Sequence, residues 1–268
     1  MFLKIERYLS RANKLSKKGE LEKAKEIYAS ILKISPDNKI AKKQLLSLEH
    51  NQASKPGNAQ LEEADHAIED FKKAISINKG YTEAHYNLGV VFQKIDQNDN
   101  AYDCYENALK LNHAYPQAHN NIGMISLKKR ELNSAVKSFE WAVAYNPNYV
   151  EAHNNLGAVF QELMLYKKAK EQYEKALSIN PKFAQALNNL GATCEIFGLK
   201  DQALENYNNA INVDPGYCEA HRNLSAIKKY KKNDPQIHQL ESLYSNINLS
   251  KPDKKNLSFA LAKVYEDL

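Results

Sequence analysis

The chain has 268 residues, 43% hydrophobic and 26% charged, with a formal net charge of +5, which allows one large or two ordinary domains. Its basic residues are interspersed with acidic ones, which argues against an electrostatic nucleic-acid footprint, and no apolar run approaches the ~18 residues of a membrane span. Glycine (9) and proline (8) are scarce while Ala, Leu, Lys, Glu and Asn are plentiful, a balance that favours helix over sheet. Cys104, Cys194 and Cys218 form neither a CxxC pair nor a zinc-ligand spacing and read as free thiols of a reducing compartment. The N-terminus is interrupted by charge too often for a signal peptide, so a cytoplasmic location is expected.

In chain order, Ala24, Tyr28, Ile31 and Pro36 mark a first helical hairpin that begins near Ile5. The stretch "HNQASKPGNAQ" from His50, with Pro56-Gly57 inside it, reads as an inserted loop over 48–60. It separates residues 1–47 from an array over 61–230 and is either a tolerated surface insertion or a partner-contacting loop. Ala67, Phe71 and Ala74 mark the next second helix. From Glu83 one phrase recurs with a spacing of 34 residues, as "EAHYNLG", "QAHNNIG", "EAHNNLG", "QALNNLG" and "EAHRNLS". Behind it run columns of small residues (Gly89, Gly123, Gly157, Gly191, Ser225), of alanine (Ala101, Ala135, Ala169, Ala203; then Ala108, Ala142, Ala176, Ala210) and of aromatics (Tyr105, Phe139, Tyr173, Tyr207). Pro147, Pro181 and Pro215 close their units. Small and large residues at helical spacing let two helices pack closely, and proline stops the second of them.

This pattern resembles the tetratricopeptide repeat over roughly residues 5–230. The resemblance implies an all-α fold, a right-handed superhelical solenoid of helix-turn-helix hairpins, each burying its apolar face against its neighbours.

Four columns or segments invite a functional reading. His85, His119, His153 and His221 sit one repeat apart, so they cannot converge on one metal ion; a packing role is expected, and no metal site. Tyr81, Tyr115, Tyr149, Phe183 and Tyr217 either wedge between repeats or offer a stacking surface. Asn87, Asn121, Asn155, Asn189 and Asn223 precede the buried leucine column and border the inner side lined by first helices. Each amide can accept and donate at once, and rungs ~10 Å apart would meet an extended chain about every third residue. The tetratricopeptide superhelices of O-linked N-acetylglucosamine transferases carry asparagines in this column and hold peptide backbones with them. That likeness implies a ladder of these five residues with Asn120, Asn154 and Asn188 beside it. The other reading is that the asparagines hydrogen-bond between repeats. A carboxylate clamp of the chaperone co-factor kind needs Lys and Arg in columns that here hold Tyr86, Asn120, Asn154 and Asn188, which argues against it.

In the tail, 231–268, Asp234-Pro235 opens one helix and Ser250-Lys251-Pro252 breaks the chain. Leu257, Leu261, Ala262 and Tyr265 then recur at helical spacing, predicting the first half of one more repeat without its second helix. The tail also resembles the linker of bacterial repeat-containing sulfotransferases, through Asp234 to Ile237, Phe259 to Leu261 and Tyr265 to Leu268. That likeness implies the N-terminal recognition region of a longer sulfotransferase, whose catalytic domain lies beyond Leu268; a glycosyltransferase is the less favoured form of this alternative. No phosphate loop, HExxH pair or GxSxG elbow occurs, so no catalytic residue and no cofactor is expected. The sequence predicts a non-enzymatic scaffold whose groove takes a protein or extended peptide. Nucleic acid and membrane are not expected as partners, while homodimerisation through exposed solenoid ends is open.

Overall fold

The computed structural model describes residues 2–17, 20–35, 38–45, 56–246 and 248–268. Its helices are α1 (Phe2–Lys17), α2 (Leu21–Ile34), α3 (described over 39–45), α4 (Pro56–Ile77), α5 (Thr82–Lys94), α6 (Asn98–Leu111), α7 (Pro116–Lys128) and α8 (Leu132–Tyr145). They continue as α9 (Val150–Glu162), α10 (Tyr166–Ile179), α11 (Ala184–Ile196), α12 (Lys200–Val213), α13 (Cys218–Ile227), α14 (Pro235–Tyr244) and α15 (Lys251–Asp267). No strand occurs among the described residues. The pairs α5–α6, α7–α8, α9–α10 and α11–α12 are antiparallel hairpins, and each second helix also packs on the first helix of the next hairpin. The result is the all-α solenoid that the sequence predicts.

The period-34 columns meet inside each hairpin. Tyr105, Phe139, Tyr173 and Tyr207 are completely or almost completely buried, each with its ring flat against a first-helix glycine. A Cβ placed on Gly89, Gly157 or Gly191 would lie 2.6 Å from a ring carbon, and one on Gly123 would lie 2.7 Å away. Glycine in this column is therefore a packing requirement that outweighs its poor helix propensity. The tyrosine hydroxyls are satisfied across the hairpin: Tyr105 donates to Gln93 Oε1 at 2.7 Å, Tyr173 to Gln161 Oε1 at 3.1 Å and Tyr207 to Glu195 Oε2 at 2.9 Å. Phe139 has no hydroxyl, and the equivalent first-helix position is Leu127, which packs on the same core. The array thus changes ring and partner together and leaves no buried hydroxyl unpaired.

The turns repeat as well. Asp96, Arg130, Met164 and Gly198 follow the first helices at the same repeat position, all with φ between 60° and 73°. This left-handed conformation is cheap only for Gly198. At the other end of each hairpin Asn78, Asn112, Asn146, Asn180 and Asp214 accept, through Oδ1, the backbone N–H two residues ahead. These Asx turns satisfy backbone groups where the second helices end, with proline following at Pro147, Pro181 and Pro215.

In the N-terminal unit Ala12, Ala24, Tyr28, Ile31 and Ala41 form a core of their own. Pro36 lies outside the described residues, as does most of the expected 48–60 loop. The loop reading is corrected at its C-terminal end, because α4 begins at Pro56. Proline's fixed φ suits the first position of a helix as well as a loop.

The tail departs from expectation in a way that matters. Helix α15 does not begin another repeat: it packs back on α13, with α14 also against it, and so covers α13 as a second helix would. Its buried face is Leu257, Ala260, Leu261 and Val264, while Ala262 and Tyr265 are exposed. The i, i+3, i+4, i+7 pattern is satisfied by a stripe rotated from the one the sequence suggested. The detour through α14 is held by buried polar groups. Ser225, which replaces the column glycine, lies 2.8 Å from the Tyr230 hydroxyl, and Tyr230 donates to Gln236 Oε1 at 3.0 Å.

Asp267 locks the end of α15 in place. Its carboxylate accepts from the Tyr230 backbone N–H at 3.1 Å, from Lys229 Nζ at 3.1 Å and from Lys263 Nζ at 3.0 Å. These donors, the Tyr230 N–H first, pull its pKa from 3.8 down to about 2. A depressed acid stabilises the fold above its unfolded pKa and loses that contribution as pH falls through the folded value. Docking of α15 is therefore expected to weaken between about pH 4 and pH 2. Amide-exchange protection of α15 in Asp267→Asn should lack this pH-dependent component.

Candidate peptide-binding groove

The first helices place the asparagine column one residue before the buried Leu88, Ile122, Leu156, Leu190 and Leu224. At this position side chains are neither in the core nor free. Asn87 is exposed, and Asn121, Asn155, Asn189 and Asn223 are half-buried. The preceding column is buried: Asn120, Asn154 and Asn188 are 7%, 9% and 1% exposed.

One hydrogen bond recurs between the columns from repeat to repeat. Asn155 Nδ2 donates to Asn120 Oδ1 at 3.1 Å, Asn189 Nδ2 to Asn154 Oδ1 at 3.0 Å and Asn223 Nδ2 to Asn188 Oδ1 at 3.0 Å. Asn121 makes the same reach to the Tyr86 hydroxyl at 3.4 Å. Asn121, Asn155, Asn189 and Asn223 are thereby each tied to the repeat before. Asn155, Asn189 and Asn223 keep the carbonyl oxygen and one amide proton without a side-chain partner among the described residues. Asn87 has no such anchor among them. Asn120, Asn154 and Asn188 are buried, and their side-chain oxygens accept the inter-repeat bonds.

Three of the four histidines, His119, His153 and His221, are buried and also tie down loops, while His85 is only half-buried. His119 Nε2 lies 2.9 Å from the His113 carbonyl, His153 Nε2 3.0 Å from that of Pro147 and His221 Nε2 3.0 Å from that of Pro215. In each case the carbonyl is six residues earlier, on the turn that enters the helix. Burial lowers the pKa of His119 and His221, favouring the neutral ring with its proton on Nε2. Spacing gave the column; its target carbonyl was not legible, because no rule of helical periodicity points at a loop oxygen.

The tyrosine column divides. Tyr81 is 45% exposed, whereas Tyr115 packs on Tyr86 of the previous repeat with ring centroids 4.9 Å apart. Burial pushes the Tyr149 hydroxyl up to about 12 and raises that of Tyr217. Wedging between repeats accounts for these rings. The cysteines are all buried and free, and burial raises the Cys104 thiol to about 11, which keeps it protonated and unreactive. No helix of the described residues is long and apolar enough to cross a membrane.

A cleft of about 620 Å³ opens between the second helices α8 and α10, lined by Val143, Leu156, Phe160 and Ile179 among others. It lies away from the asparagine row. One repeat earlier the equivalent gap is filled by Trp141 and Tyr145, stacked on each other at 5.6 Å and over His119.

A stack of helical hairpins with a row of polar side chains running from first helix to first helix defines a repeat scaffold. Family models described as tetratricopeptide repeat match residues 5–38, 82–115, 150–183 and 172–205, and one described as TPR repeat matches 59–96 and 127–163. Together these segments span more than half of the sequence, and the chain belongs to the tetratricopeptide-repeat proteins. No curated protein matches it significantly. Among solved structures it is similar to MamA, with 26% identity over 60% of this chain and 95% of that one, at a TM-score of 0.53. It is also similar to YrrB, described as a TPR protein with an unusual peptide-binding site, with 23% identity over 72% of this chain and 98% of that one, at a TM-score of 0.54. A likeness in fold extends to the APC/C hetero-tetramer Cut9–Hcn1, with 17% identity over 95% of this chain and 55% of that one, at a TM-score of 0.60. The resemblance of the tail to a sulfotransferase linker finds no support in these matches.

Proposed function

We propose that the protein is an interaction scaffold whose inner groove holds an extended peptide, with Asn87, Asn121, Asn155, Asn189 and Asn223 meeting its backbone. One observation supports this above others. The inter-repeat bonds use a single amide proton of Asn155, Asn189 and Asn223, so these side chains are held in one orientation with an acceptor and a donor to spare. Preorganised groups lose less entropy on binding than free ones. Asn120, Asn154 and Asn188, together with Tyr86, are the positioning residues.

Three residues beyond each rung, on the same helical face, come Val90, Met124, Ala158, Ala192 and Ala226, all half-buried or exposed. They form a smooth apolar floor. A net hydrogen bond contributes ~1 kcal/mol and association costs at least ~4 kcal/mol, so the floor must supply part of the affinity. A cytoplasmic setting and a non-catalytic role belong to this reading. YrrB, described as having a peptide-binding site, lends support at the level of fold.

A ladder of this kind reads backbone and tolerates side-chain change. N-methylating a bound peptide at single amides is expected to weaken binding on the order of tenfold at about every third residue, the loss of one satisfied donor at a time. Swapping polar side chains at those positions should change little. A profile that follows side-chain identity and ignores N-methylation would sink the proposal.

A further inference from the structure

The edge of the solenoid formed by the turns within hairpins changes character along the array. At its first steps, charge links neighbouring repeats across a separation of 32 residues: Asp96 pairs with Lys128, and Arg130 Nη1 with Glu162 at 2.7 Å. The next pair in this series is Met164 and Ile196, and neither is buried, with 73% and 48% exposed. Leu165, Phe197 and Leu199 are exposed beside them. Five large apolar side chains thus share one edge where two ion pairs stood before. Met164 sits there at φ 60°, a conformation in which a bulky side chain brings strain and no core contact. Exposed apolar clusters of this kind mark interaction sites.

The surface is indented. Met164, Leu165, Tyr166, Lys167, Lys168 and Phe197 line a shallow cleft of about 350 Å³, room for one large side chain. Lys167 and Lys168 of this lining are exposed, and Lys200 is exposed next to Leu199 on the same edge. None of them has an acidic partner among the described residues, although Lys168 lies 5.3 Å from the Phe160 ring centroid. The ions of the earlier turns neutralise one another; these lysines are left for a partner.

We infer that this edge is a second docking surface, separate from the groove, for a protein segment that carries an aromatic or aliphatic anchor flanked by carboxylates. The cleft takes the anchor and the lysine rim takes the acids. A concave seat fits a protruding side chain better than it fits a bilayer, which is why a protein segment is preferred to an anionic membrane surface.

The test is a random-peptide phage library panned on the intact chain and counter-screened on two variants, Met164→Ser/Phe197→Ser and Lys167→Glu/Lys168→Glu/Lys200→Glu. All five positions are exposed, so both variants should keep the helicity of the wild type. Expected are clones in which Phe, Leu or Trp is flanked by Asp or Glu, and whose binding falls on the order of tenfold or more on either variant. The inference is overturned if no clone depends on these residues, or if the dependent clones show no acidic enrichment. It is equally overturned if phosphatidylserine–phosphatidylcholine vesicles bind the edge and no peptide does. Clones that instead depend on Asn121, Asn155 and Asn189 report on the groove, so the two sites succeed or fail independently.

Discussion

Tyr173→Ala is expected to destabilise the array by about 3 to 5 kcal/mol, the cost of deleting a fully buried aromatic ring. The ring is 1% exposed, lies against Gly157, and ends in a hydroxyl bonded to Gln161. Its loss leaves a hollow in the hairpin α9–α10, together with an amide oxygen that keeps only the longer contact from the Thr193 hydroxyl at 3.4 Å. The companion variant Gly157→Ala places a Cβ 2.6 Å from the ring, and overpacking of this kind costs about 1 to 3 kcal/mol. The two effects are not additive. Once Tyr173 is alanine the new methyl enters the hollow, so Gly157→Ala should become neutral or stabilising in that background. Urea-unfolding midpoints of the four proteins form the double-mutant cycle; equal costs of Gly157→Ala with and without Tyr173 would contradict the packing described. Because each hairpin contacts only its neighbours, the loss will appear first as local unfolding around α9–α10.

Much of this architecture was legible before any coordinates. The period of 34 fixed which glycine faces which ring, since Gly157 and Tyr173 fall in columns that a helical hairpin must bring together. It also placed His119, His153 and His221 in a packed column. The tail was misread for a physical reason. Without a repeat to compare against, several stripes of α15 are almost equally apolar. What selects Leu257, Ala260, Leu261 and Val264 is the surface of α13 and the anchoring of Asp267, both distant in sequence. The start of α4 failed similarly, because proline signals a helix's first position and a loop alike. At the groove the sequence pointed to both asparagine columns without separating them. Which is buried and which is half-open depends on how adjacent first helices are rotated, and spacing does not encode that. The eight asparagines thus fall into a buried column that accepts and a more open column that, from Asn121 on, donates.

That division gives the second large effect. Asn121→Ala, Asn155→Ala and Asn189→Ala together remove three rungs. At ~1 kcal/mol each, the loss corresponds to affinity weaker on the order of 100-fold. The same change leaves Asn120 and Asn154 with buried oxygens that have lost their donors, which itself costs about 1 to 3 kcal/mol per group. Stability will therefore fall too, and affinity must be compared where circular dichroism shows each protein fully helical. A second variant, Asn120→Ala/Asn154→Ala/Asn188→Ala, keeps all five asparagines of the open column and removes the partners of Asn155, Asn189 and Asn223. It should bind more weakly than the wild type through lost preorganisation, yet more tightly than the rung variant.

The most direct test is the affinity of a panel of unstructured peptides for the wild type and for the Asn121→Ala/Asn155→Ala/Asn189→Ala variant at equal helicity. The groove reading predicts the wild type binds and the variant loses about two orders of magnitude. Unchanged affinity at unchanged helicity would contradict it and leave the asparagines as clasps between repeats.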